Sequence, residues 1–321
     1  MKNYNFFQKL LHKLCLGNFF LKKTLFEIEK ISFKKKIADF SNNNHIFITS
    51  LPRSGTTILL LFFYKSRRYA SLIYRDMPFL MAPNFFSRIK IKNNIEKKLR
   101  AHDDGIYYDL NSPEAFDEVF YNTFKNDEIK ENLKMYINLI LHKNKKNLYI
   151  SKNNNNYKRI ELINSAFPNS KIIIPFRNPI QHAYSLLNQH KRFCILQKKN
   201  KFILEYMNLL GHYEFGLEHK SWNKSTNYNN FDDLNYWLEQ WYIFFSNLSL
   251  NYKANQSVIF LSYEKFNDKK YLEEKILNKI HGFPEFEFTF INSIKKINLD
   301  FDKALLKNCS ELYNQLEYSN V

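Results

Sequence analysis

Five short runs of apolar, β-prone residues recur along the chain, at 45–50 (HIFITS), 70–74 (ASLIY), 147–151 (NLYIS), 171–176 (KIIIPF) and 257–262 (SVIFLS). Each is nearly continuous rather than alternating, the pattern of strands covered on both faces. Helical periodicity separates them, over 56–67, 113–126, 128–143, 157–167, 179–193, 232–250, 269–281 and 301–318. Ser112-Pro113-Glu114 reads as a helix start, with Ser as N-cap and Pro at the first helical position. Strands alternating with helices predict an α/β fold, a P-loop-like central parallel β-sheet flanked by helices. Ligands of such sheets bind at the carboxyl ends of the strands. No repeat or long Pro/Gly/Ser linker interrupts the 321 residues, so a single domain over 1–321 is expected, with 1–40 as a basic helical extension.

That extension, opening "MKNYNFFQKLLHKLCLGNFFLKK", lacks the uninterrupted apolar centre and small-residue cleavage site of a signal peptide. It reads either as a surface helix packed on the domain or as a basic amphipathic helix in peripheral contact with a membrane or a partner. No apolar run approaches the ~20 residues of a membrane span, and a cytoplasmic location is expected. The net charge of +17 points to an anionic partner or substrate. Only nine of the 48 basic residues are Arg, however, and scattered lysines usually form a solvated surface, so no nucleic-acid partner is expected. Cys15, Cys194 and Cys309 lie far apart with no CxxC spacing, which argues against a disulfide framework or a zinc site. His212 and His219 would share a helix face, but lack a third ligand of clear spacing; no metal is expected.

The first strand runs into "SLPRSGTTIL". Residues 51–56 then sit at a strand's carboxyl end and feed a helix from about Thr56, whose N–H groups and positive dipole end favour a phosphate or sulfate. Gly55 lets the chain approach a ligand closely. Thr56 and Thr57 offer hydroxyls, and Arg53 a forked cation suited to phosphate oxygens. An ordinary Ser/Thr-capped strand–turn–helix is the alternative. The Lys of GxxxxGK[ST] is missing, and no apolar run ends in a Walker-B Asp, which disfavours a nucleoside triphosphate. Further on, "SKNNNNYKRIELINSAFPNSKIIIPFRNPIQHAYSLLNQHKRF" places Arg177 at the end of the strand 171–176 and Pro179 in the first turn of the next helix. Ser185 lies within that helix, with Gln189 and Arg192 on its face. Arg177 and Ser185 could thus form a second anion site beside the first.

Taken together, these stretches resemble the sulfotransferases that use 3′-phosphoadenosine-5′-phosphosulfate (PAPS). The resemblance implies the sulfotransferase fold, PAPS as co-substrate with adenosine 3′,5′-bisphosphate as product, and transfer of a sulfuryl group by in-line displacement. On the matching positions, Pro52, Arg53, Ser54, Gly55, Thr56 and Thr57 would grip the 5′-phosphosulfate. Arg177, with Ser185 eight residues later, would grip the 3′-phosphate. The loop with Arg in place of Lys is similar to that of tyrosylprotein sulfotransferases and many bacterial sulfotransferase-domain proteins. Lys152 occupies the position of their sulfate-side lysine, and Tyr263, in "LSYE", resembles a nucleotide-side strand end. The Gly-rich "KGxxGxW" segment of cytosolic members has no counterpart here, nor does the membrane anchor of Golgi members, so a soluble bacterial-type enzyme is expected.

A base must take the acceptor's proton. Asp76, in "LIYRDMPFL", is the first choice, because tyrosylprotein and heparan-type members carry a Glu at a comparable position. Arg75 beside it offers instead a structural ion pair. The runners-up lie in "RAHDDGIYYDLNSPEAF": His102, Asp103, Asp104 and Glu114. The acceptor would be a carbohydrate, a lipid, a peptide tyrosine or a small alcohol. Two other readings stand beside this one: a P-loop kinase or NTPase, and a non-catalytic polyanion-binding protein on the same fold.

Overall fold

Four strands of one sheet end together, and that shared edge is what positions the site. The strands are β1 (Ile46–Ile48), β2 (Tyr69–Ala70), β3 (Lys98–Leu99), β4 (Tyr107–Tyr108), β5 (Leu148–Lys152), β6 (Lys171–Phe176) and β7 (Val258–Ser262). In this computed structural model, which describes residues 5–87, 97–100, 105–125, 127–224, 227–277, 279–280, 290 and 294–318, five of them form a parallel sheet in the order β2-β5-β1-β6-β7. β3 and β4 make a small antiparallel ribbon. Ile48 of β1 is in register with Lys152 of β5 and Ile173 of β6, and Phe176 of β6 with Ser262 of β7.

Side chains alternate between two cores, as period-2 geometry requires. Phe47, Ile172, Ile174 and Phe260 face one; Ile46, Ile48, Ile173 and Ile259 face the other. Both faces are covered, which is why the strands read as unbroken apolar runs.

The described residues form twelve α-helices: α1 (Phe6–Gly17), α2 (Phe19–Phe33), α3 (Thr56–Lys65), α4 (Pro83–Phe86), α5 (Glu118–Thr123) and α6 (Ile129–Asn144), then α7 (Ile160–Ala166), α8 (Pro179–Lys199), α9 (Lys201–Leu210), α10 (Leu234–Tyr252), α11 (Lys269–Leu272) and α12 (Lys303–Glu317). α3 and α11 bury their apolar faces with Ile46 and Ile48, and α5, α6, α8 and α10 with Phe47. Within the basic segment expected over 1–40, the described residues form a helical pair up to Phe33, α1 packing on α9 and α2 on α5 and α6. Buried Glu29 of α2 fixes it there, accepting hydrogen bonds from the Asn84 backbone and side chain and from the Phe85 N–H at 2.8–3.1 Å. Among the described residues, no helix is long and apolar enough to cross a membrane.

Three expected elements differ. The strand expected over 70–74 stops at Ala70, and Tyr74–Asp76 is a 3-10 turn. Ile73 bridges instead to Pro113, and the Tyr74 and Arg75 N–H groups bond to the Ser112 and Leu110 carbonyls. That bridge also removes the helix expected from Pro113. The Ser112 hydroxyl donates to Asp109 rather than capping, and helix begins only at Glu118. The helix expected over 269–281 is α11 followed by one π-turn, Glu273–Leu277.

Candidate active site

The loop from β1 to α3 is held in an unusual backbone path. The Ser50 hydroxyl donates to the Pro175 carbonyl at 2.6 Å, tying the end of β1 to β6, and the Ser54 hydroxyl donates to the Leu51 carbonyl at 2.8 Å. Arg53 has φ of 72°, left-handed backbone that side-chain-bearing residues seldom adopt. Such conformations persist where surrounding structure enforces them, often at functional sites. Gly55, at φ 94°, cannot be replaced without collision: a Cβ there would lie 2.6 Å from Tyr263 Cδ2 and 2.9 Å from Phe266 Cε2. Glycine therefore lets the loop pass under the end of β7. It is also the N-cap of α3 and brings no capping side chain, so the helix's dipole end is left for an anion.

The segment after β6 closes on this loop. Asn178 caps α8 through its side chain, while its N–H donates to Glu264 Oε1 at 2.9 Å. Arg177 lies over the Tyr263 ring, 4.9 Å from its centroid. Arg53 Nε donates to Ser185 Oγ at 3.1 Å, and His182 Nε2–H donates to the Pro52 carbonyl at 2.7 Å. The two motifs, more than a hundred residues apart in sequence, are thus one cluster: Arg53 on Ser185, Arg177 on Tyr263, and Tyr263 on Gly55. His182, which the sequence did not single out, is the bolt between them. Gln189 is buried in α8.

In front of Arg53 opens a cavity of about 240 Å³ lined by Pro52, Arg53, Thr56, Thr57 and Lys152 among others. Its charged groups gather round Lys152. Glu114 Oε1 lies 3.9 Å from Lys152 Nζ, and Glu114 Oε2 pairs with Arg100 at 2.7 Å and accepts the Tyr74 hydroxyl at 3.2 Å. His212 Nδ1 meets Glu214 Oε1 at 3.2 Å, and Asn154 Nδ2 donates to the same oxygen at 3.5 Å. Burial works against the charged form of both partners, but each outweighs it for the other. Glu214 is held down to about 2, and His212 is raised above its usual value. The lining also includes the apolar or aromatic side chains of Phe193, Tyr206, Met207, Leu210 and Phe215.

Asp76, the expected base, does not reach this cavity. Its buried carboxylate pairs with Lys143 and accepts the Ile73 N–H at 3.0 Å, so it acts as a structural ion pair behind the 3-10 turn. Its ion-pair partner is Lys143 rather than the adjacent Arg75. His102, Asp103 and Asp104 lie outside the described residues, whereas Glu114 does line the cavity. His212 and His219 have different partners: His212 Nδ1 faces Glu214, and His219 Nε2 sits 2.8 Å from the Tyr236 hydroxyl. Among the described residues, no group of three or more His, Cys, Asp or Glu could hold a metal ion.

Burial holds several imidazoles below their usual value, and three of them are lowered furthest. Burial, reinforced by the Arg177 and Arg53 charges, lowers His182 to about 3; burial lowers His45 and His219 to about 4 each. Their unfolded values lie near 6.5, so the unfolded chain binds protons first as pH falls. Stability is therefore greatest above about 6.5 and is lost on acidification, by about 2 kcal/mol per imidazole at pH 5. His212, with its pKa raised, offsets part of this. A melting temperature roughly 10 °C lower at pH 5 than at pH 7 is expected by scanning calorimetry; a flat profile would mean these rings are solvated.

A model of the sulfotransferase family matches residues 45–219, the span from β1 through the His212–Glu214 loop. The chain is also similar to the crystal structure of the sulfotransferase STF9 from Mycobacterium avium, at 12% identity and a TM-score of 0.42, over 89% of this chain and 72% of that one. Comparison with curated proteins finds no match. With more than half of its length under the family model, the chain belongs to the sulfotransferase family.

Proposed function

We propose that this protein transfers a sulfuryl group from PAPS to a hydroxyl or amine acceptor. The observation that carries the reading is the Arg53–Ser185 hydrogen bond, which joins the two anion-binding motifs into one cluster at the shared sheet edge. Arg53, Lys152 and the start of α3 would complement the phosphosulfate; Arg177, Ser185 and Tyr263 would hold the 3′-phosphate end. In the transfer, a bond forms from the acceptor oxygen or nitrogen to sulfur, and the bond from sulfur to the bridging phosphate oxygen breaks. The bonding pair leaves with adenosine 3′,5′-bisphosphate, and fixed cations offset the charge that builds there.

The acceptor's proton goes to His212. With Nδ1–H directed at Glu214, Nε2 is the position left to accept it, and the carboxylate makes the ring a stronger base. Glu114 suits the role less, since its oxygens already serve Arg100, Tyr74 and the Ala115 N–H. Of carbohydrate, lipid and peptide acceptors, the lining by Phe193, Met207, Leu210 and Phe215 favours a hydroxyl borne on an apolar body.

Calorimetric titration tests the donor. Adenosine 3′,5′-bisphosphate should bind more tightly than adenosine 5′-phosphate or ATP. Arg177→Ala should cost it about 10²-fold in affinity, the loss of a charge-assisted partner, while adenosine 5′-phosphate changes little. Equal losses for both ligands would remove Arg177 from the 3′-phosphate site, and preferential binding of ATP would return the kinase or NTPase reading.

A further inference from the structure

The segment 1–40 holds nine lysines against three acidic residues, and its helices also carry apolar side chains that the fold leaves uncovered. Eight of the eighteen exposed large hydrophobic side chains among the described residues lie on α1 and α2. Phe6 is 82% exposed, Phe20 78%, Ile31 74% and Phe7 69%, values far from a core helix with a stray surface residue.

Their placement is ordered. At about 100° per residue, Phe6, Phe7, Leu10 and Leu14 span one side of α1, and the buried His12, Cys15 and Leu16 span the other. On α2, Phe20, Ile28 and Ile31 share a side, opposite the buried Lys22, Phe26, Glu29 and Phe33. Each helix therefore has two apolar faces, and only one of them is used by the fold. The remaining two belong to neighbouring helices, since α1 and α2 are in contact. Exposed apolar surface of this extent marks an interaction site.

Charge decides the occupant. Lys23, Lys34 and Lys35 are exposed on α2 or just beyond it, and Lys36 continues into a groove with Arg67, Arg68, Lys145 and Lys146. A second copy of this chain would bring like charges together. An anionic lipid surface would complement them while taking up the phenylalanines. We infer that α1 and α2 together dock the protein on the surface of an anionic bilayer, lying in the interface without crossing it. α1 packs on α9, whose Tyr206, Met207 and Leu210 line the cavity, so docking would bring this part of the site's lining close to the lipid surface.

Vesicle co-sedimentation of the full chain tests this, with phosphatidylcholine vesicles against equimolar phosphatidylcholine and phosphatidylglycerol. The chain should bind the anionic vesicles, bind phosphatidylcholine alone weakly, and be released progressively by salt. Phe6→Ser/Phe7→Ser/Phe20→Ser should lower partition by about tenfold or more, with an unchanged melting temperature because these rings are solvent-exposed. Lys23→Gln/Lys34→Gln/Lys35→Gln should weaken binding to anionic vesicles and flatten its salt dependence. Failure to bind anionic vesicles, or equal binding by the phenylalanine variant, would overturn the inference. So would a dimer, seen by light scattering, that the same variant dissolves and vesicles do not displace. None of these readouts depends on turnover, so the inference stands or falls apart from the reaction assigned to the cavity.

Discussion

Replacing Arg53 with alanine is expected to lower kcat/KM for sulfuryl transfer by about 10³-fold, the scale of losing one preorganised group that stabilises transition-state charge. Two features make this residue more than a surface cation. Its backbone is held at φ 72°, a conformation flanked by the His182–Pro52 hydrogen bond before it and the Ser54–Leu51 hydrogen bond after it, so the side chain leaves the loop in a set direction. Its Nε donates to Ser185 while the guanidinium lines the cavity, so one side chain both ties the two motifs together and supplies a cation there. Lysine cannot reproduce that division of labour, because it has one nitrogen and no fixed plane. Arg53→Lys should therefore recover only part of the loss, about tenfold, while both variants fold with melting temperatures close to the parent. Initial rates of labelled-sulfur transfer at subsaturating donor give the comparison. An Arg53→Ala enzyme within about threefold of the parent would show that the cluster at β1, β6 and α8 does not bear on the reaction.

The strands were legible because each is covered on both faces. An unbroken apolar run such as KIIIPF has little alternative to a central parallel strand, and four of the five runs expected to be strands coincide with strands of the main sheet, the fifth contributing only Ala70. The strand expected at 70–74 came out short because its later residues bond to the loop at 110–113, a long-range pairing with no local signature. Asp76 failed for a related reason. A carboxylate beside an arginine in a polar turn can face a cleft or the interior, and here α6 brings Lys143 to it from 67 residues away. The loop from β1 to α3, by contrast, is written locally: Arg, Gly and the two Thr follow one another where a strand becomes a helix.

A readable signal was passed over at 200–216. Asn200 and Gly211 bracket the helical run KFILEYMNLL as N-cap and left-handed C-cap, which marks α9 plainly. Two of the chain's six glycines, Gly211 and Gly216, then enclose HYEF, so a loop is pinned at both ends with a His and a Glu inside it. Their spacing of two residues is consistent with a His–Glu pair, yet nothing local says that the pair meets Lys152 from β5. Only the sheet order, with β5 next to β1, brings it to Arg53.

That pair yields the second large effect. His212→Gln should keep adenosine 3′,5′-bisphosphate affinity within about threefold of the parent and lose about 10²- to 10⁴-fold in turnover, the range for a general base. The pH profile separates this from a structural role. In the parent, kcat/KM should rise with pH along a limb set by His212, above the usual imidazole value because the Glu214 carboxylate stabilises the protonated ring despite its burial. Below that pKa the ring already carries its proton and cannot take the acceptor's. His212→Gln removes the limb. Glu214→Gln should keep the limb but move it to lower pH, since the charge that raised His212 is gone, and the weaker base should lower the plateau. Glu114→Gln should weaken catalysis through the loosened Arg100 and Lys152 contacts and leave the limb in place. The reverse pattern, a limb that survives in His212→Gln and disappears in Glu114→Gln, would transfer the proton to the carboxylate on the far side of Lys152.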